Sequence, residues 1–161
     1  GFSYFATLAK NKRLTVANDD STVYQKIYDG KAGVAFMWDF NALNGRDYMV
    51  QAGSGSKIAV NIPQDGAVKD GYATIINANA RNPYGAALTR DYLLSEEGQI
   101  DLARGHMTPV RTDVTIPDDV KATNLDSSQY KKVSTIKNPA QWISTCQNLD
   151  EQWESTVAPY L

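Results

Sequence analysis

Trp38-Asp39-Phe40-Asn41 joins a large aromatic face to a carboxylate. That pairing suits an organic cation, because an indole face attracts positive charge and a carboxylate accepts a charge-assisted hydrogen bond. The segment closes the apolar run 32–38, which reads as a strand covered on both faces. In open α/β sheets, ligands sit in the crevice beyond the carboxyl ends of strands. Asp65, Asp70 and Tyr72 flank a further predicted strand and add carboxylates and a second aromatic. The competing reading of these residues is structural, with Trp38 in the core and Asp39 as a helix cap.

Catalytic chemistry is poorly supplied. His106 is the one histidine and Cys146 the one cysteine, so no nucleophile, base and orienting group can be assembled. His106 follows a predicted helix end, where a cation is stabilising. Cys146 lies on an apolar stripe with Trp142, Ile143 and Leu149, which reads as a small buried hydrophobe. One thiol forms no internal disulfide, and no zinc-type or EF-hand spacing occurs. The carboxylate pairs Asp19/Asp20, Glu96/Glu97 and Asp118/Asp119 open predicted helices, where negative charge complements the helix dipole. Gly53-Ser54-Gly55-Ser56 runs into Lys57-Ile58 without the glycine-lysine-serine or -threonine ending of a phosphate loop and reads as a flexible connection. Neither a cofactor nor a metal is expected, and the chain is read as a binding protein rather than an enzyme.

The whole composition agrees. With 161 residues, 42% hydrophobic and 21% charged, the chain is an ordinary globular one. A domain of this size is expected to bury roughly two thirds of its unfolded surface. Sixteen basic against eighteen acidic residues leave a net charge of −2. No basic stripe follows a phosphate backbone, so nucleic acid is not an expected partner. No apolar run approaches the roughly 20 residues of a membrane span.

The elements that must position these groups alternate. Spacing predicts a helix over 1–12, and Asn18-Asp19-Asp20-Ser21 supplies caps for a second, stopped at Gly30. Strands are predicted over 32–38, 58–62 and 72–76, with a turn at Gln64-Asp65-Gly66. Asn82-Pro83 and Asn138-Pro139 each place a cap before proline at the first helical position. Ser95 restarts a helix that ends near Gly105, and Pro117-Asp118-Asp119 opens a short one. Trp142, Cys146, Leu149, Trp153 and Val157 mark a long amphipathic C-terminal helix. Alternating strands and helices predict an α/β fold with a mostly parallel sheet.

Several segments together resemble the later half of a type II periplasmic solute-binding protein, the receptor of an ABC importer. The resemblance runs through residues 24–31 to Trp38-Asp39, then Ile62-Pro63-Gln64-Asp65-Gly66 and Tyr72-Ala73-Thr74-Ile75-Ile76. It continues through Ala80-Arg81-Asn82-Pro83-Tyr84-Gly85-Ala86-Ala87, residues 91–99, and Gly105-His106-Met107-Thr108-Pro109-Val110-Arg111. It looks closest to the polyamine, iron and thiamine branch. The resemblance implies an incomplete bilobed receptor: residues 1–62 as part of the second lobe, 63–115 as a return towards the first, and 116–161 as C-terminal helices. It implies Trp38, Asp39, Asp70 and Tyr72 as ligand contacts, with 95–99 and 109–111 as scaffold. It implies a periplasmic setting, a small charged solute such as a polyamine, and an ABC permease as partner. Such a fragment would expose apolar surface that a second copy could cover. Rival readings are a regulator's ligand-sensing domain and an enzyme built on the same lobe.

Overall fold

Seven helices are found among the described residues, 1–53 and 58–161 of the computed structural model, and a side chain caps the start of four of them. The seven are α1 Phe2–Lys10, α2 Asp20–Tyr28, α3 Asp39–Gln51, α4 Pro83–Leu94, α5 Glu96–Arg104, α6 Asp118–Thr123 and α7 Pro139–Thr156. Asp19 accepts from Thr22 N–H at 2.8 Å, Asn82 from Gly85 N–H at 2.9 Å and Asn138 from Gln141 N–H at 3.1 Å. Each satisfies an amide that a helix start leaves without an intrahelical partner. Ser95 ends α4 and caps α5, accepting from Gly98 N–H at 3.1 Å. Gly98 is required there, since a Cβ would lie 2.0 Å from the Tyr92 carbonyl oxygen.

The strand expectations are corrected. Residues 32–38, 58–62 and 72–76 form no ladder among the described residues. The described sheet has two short parallel strands, β1 Val68–Lys69 and β2 Ser134–Thr135. The run expected to be covered on both faces is open, with Phe36 82% exposed. A helix satisfies its own N–H and C=O groups, whereas a strand needs a neighbour from elsewhere in the chain. The result is a mostly helical chain with a small parallel sheet, compatible with an α/β binding protein. The Gly53–Ser56 connection reaches beyond the described residues at Ser54.

Packing is local. Ala6 and Ala9 of α1 meet Val157, with Phe2, Phe5, Leu14 and Trp153 around them. Tyr24 of α2 lies on α3 at Gly45, where a Cβ would meet its ring at 2.2 Å. α4 and α5 form a hairpin, and the buried Gln99 side chain ties it to the segment after it. Its Nε2 donates to Leu93 O at 2.7 Å, and its Oε1 accepts from Val110 N–H at 2.8 Å and Arg111 N–H at 3.2 Å. The sizeable core expected from chain length is not formed among the described residues. The surface is 12,043 Å², against roughly 8,000 Å² for a compact monomer of this mass.

Candidate functional site

α3 starts where the apolar run ends, and its first residues carry the candidate chemistry. Trp38 is the N-cap, with φ −63° and ψ 143°, and gives no side-chain cap. Its indole is 49% exposed rather than core. Asp39 is the first helical residue, where its charge suits the helix dipole. It caps no amide. Instead Asp39 Oδ2 accepts a hydrogen bond from the Tyr130 hydroxyl at 2.6 Å. Burial first, and the Asp39 carboxylate second, push that hydroxyl above the usual tyrosine range, so it stays a donor.

The next turn is anchored to α2. Asn41 Nδ2 donates to Asp20 Oδ2 at 2.6 Å, and the Tyr24 hydroxyl donates to Asn41 O at 2.5 Å. Phe40 meets Tyr72 edge to face, with ring centroids 6.0 Å apart and planes at 84°. The Tyr72 ring is 70% exposed. Tyr72 is thereby brought to the start of α3, against Phe40. Asp70 is not tied to that corner: it is exposed, and its Oδ1 accepts from Gly71 N–H at 2.8 Å.

Tyr130, which bonds the candidate residue Asp39, is a contact that sequence reasoning missed. It closes a 3-10 turn, Ser127–Tyr130, capped by Asp126 accepting from Ser128 N–H at 2.8 Å. That turn is fastened to the segment leading into β1. Gln129 Oε1 accepts from Ile62 N–H at 3.1 Å, and Gln64 Nε2 donates to Gln129 O at 2.9 Å. The Asp-Ser-Ser run is a legible turn signal. The reach of Tyr130 across to α3 is not, because it depends on distant packing.

His106 is structural, as its place at a helix end suggested. It follows Gly105 in the left-handed region, with φ 65°, and is buried. Nδ1 lies 2.7 Å from Asn124 Oδ1, and Nε2 lies 2.9 Å from Asp47 Oδ2. Asn124 presents its oxygen because its Nδ2 donates to Ala103 O and Val120 O. Burial raises the Asp47 carboxyl, but hydrogen bonds from Arg46 and His106 outweigh it and hold it below the usual carboxylate range. The imidazole thus clamps α3, the end of α5 and the end of α6. No grouping of three or more potential metal-ligating side chains is found among the described residues.

Shallow depressions occur away from this corner. One of about 460 Å³ lies over α5, lined by Glu96, Glu97, Ile100, Asp101 and Arg104. Another of about 310 Å³ lies between Lys12, Leu14, Thr15, Val16 and Leu161. Both are open to solvent and neither contains an aromatic ring.

Comparison with known families decides the class. The model of the family described as bacterial extracellular solute-binding protein matches residues 1–125. The chain belongs to this family. No curated protein matches it. The match spans α1 to α6, and with them Trp38, Asp39, Asp70 and Tyr72. Tyr130 and α7 lie beyond it. Membership makes the chain that of an extracytoplasmic solute-binding receptor, a class that is non-enzymatic in general and that typically works with a membrane transporter. No helix among the described residues is long and apolar enough to cross a membrane.

Proposed function

We propose that the start of α3 forms one wall of the solute site and that the solute is a small organic cation of the polyamine type. In this reading Trp38 stacks on the cationic carbon–nitrogen chain and Asp39 accepts its N–H groups. Tyr130 holds the Asp39 carboxylate in place through one oxygen and leaves the other to the solute. Tyr72 extends the aromatic wall, and Asp70 contributes charge from the rim. The partner is an ABC permease, to which the receptor delivers the solute without chemical change.

The observation that carries this reading is a half-exposed tryptophan followed in the chain by a carboxylate that accepts from a part-buried tyrosine hydroxyl. A core tryptophan followed by an ordinary cap would show neither feature. The test is calorimetric titration of the chain with spermidine, and in parallel with thiamine, ferric ion and sugar phosphates. Spermidine is expected to bind, and Trp38→Ala to weaken it by about tenfold, equivalent to roughly 1.4 kcal/mol. Unchanged affinity in Trp38→Ala removes the indole from the site. Binding of an anion in preference to spermidine overturns the cationic assignment.

A further inference from the structure

α7 is packed at one end only. Its last turns meet α1, through Phe5 against Trp153 with centroids 6.0 Å apart and through the buried Val157. Upstream of Trp153, the residues of α7 are exposed, apart from a half-buried Cys146. Trp142 and Leu149 are 41% and 42% exposed, and Ile143 is more so. Trp142, Cys146, Leu149 and Trp153 recur at four, three and four residues, the spacing of a two-helix seam.

The charges around α7 oppose its own dipole. Lys131, Lys132 and Lys137 precede its N-terminus, and Asp150, Glu151 and Glu154 crowd its C-terminal turns. Its first turn holds no acid and its last turn no base. Each end thus carries the sign that the helix dipole disfavours. A second copy laid antiparallel reverses this, setting lysines against carboxylates at both ends.

We propose that this stripe is a homodimer interface, α7 packing antiparallel on α7 of a second copy across a twofold axis. With the axis midway between Trp142 and Leu149, Trp142 meets the partner's Leu149. Cys146 then lies beside the partner's Cys146, and Lys137 faces the partner's Glu154. α1 limits the overlap by occupying the stripe from Trp153 onward. The contact is therefore at the small end of specific interfaces, below about 1,200 Å², and the dimer dissociates in the micromolar range.

Sedimentation equilibrium of the 161-residue chain tests this, run under reducing conditions from roughly 1 to 300 µM. The average mass is expected to climb from 17.7 kDa towards twice that value. Leu149→Lys is expected to stay monomeric with an unchanged helical circular dichroism spectrum. Lys137→Glu weakens association several-fold, and adding Glu154→Lys to it restores association. Because Leu149→Lys could disturb α7 itself, oxidation of the unaltered chain with diamide gives a second readout, a Cys146-linked dimer absent in Cys146→Ser. A mass fixed at 17.7 kDa throughout overturns the proposal. So does association that persists in folded Leu149→Lys, and so does the failure of Cys146 to cross-link.

Discussion

Asp39 is positioned by a group far along the chain, and this is what separates it from an ordinary helix-start acid. The Tyr130 hydroxyl reaches it from 91 residues away in sequence. Tyr130→Phe removes that donor while keeping the ring, and is expected to cost about 1 kcal/mol in urea unfolding. It is also expected to weaken spermidine binding less than Asp39→Asn does, since Tyr130 acts through Asp39. Tyr130 also gives a sign at high pH. Its hydroxyl titrates above the usual tyrosine value in the folded chain, so the unfolded chain releases the proton first. Stability should fall as pH rises above about 10, and this part of the fall should vanish in Tyr130→Phe. Asp47 works at the opposite end. Its carboxyl is held low in the folded chain, so its contribution is present above about pH 4 and lost as pH falls through the folded value. Asp47→Asn should lower stability at neutral pH and flatten the acid limb of an unfolding profile.

Helices were legible in the sequence because their signals are local. Asp19, Asn82, Ser95 and Asn138 announce starts within a few residues of the amides they cap, and all four do so in the structure. The three longer strands were not, since an apolar run states only that a segment seeks cover. Whether residues 32–38 or 72–76 find a ladder depends on partners that spacing cannot name, and the described pairing occurs instead at Val68–Lys69 and Ser134–Thr135. The candidate site divides the same way. Trp38, Asp39 and Tyr72 were readable as residue types beside element ends, whereas Tyr130 and the Phe40–Tyr72 contact required the fold. Two substitutions test the packing between elements. Gly45→Ala places a methyl group in the Tyr24 ring and should destabilise by about 1–3 kcal/mol. Gln99→Leu strands two backbone N–H groups and one carbonyl around a buried site, and should cost roughly 2–4 kcal/mol in urea unfolding.

At the scale of the molecule, a small set of buried residues supports a large surface. The cluster around Val157 and the contacts of α3 at Gly45 and at His106 are the anchors, and much aromatic and aliphatic area lies outside them. Less surface is hidden than chain length allows, so the urea dependence of unfolding should be shallower than in a compact domain of this size. A steep, fully cooperative transition would contradict that expectation. Family membership is in keeping with an aromatic and a carboxylate that follow one another at a helix start. A receptor needs shape and charge rather than a nucleophile. The most direct measurement is a proton–nitrogen NMR titration of the chain with spermidine at moderate salt. The Trp38 indole N–H and the amides of Asp39 and Phe40 should shift together and saturate, and Asp39→Asn should abolish the response. If those resonances stay still, or if shifts spread evenly over the acidic surface and disappear with added salt, the corner at the start of α3 is not the solute site.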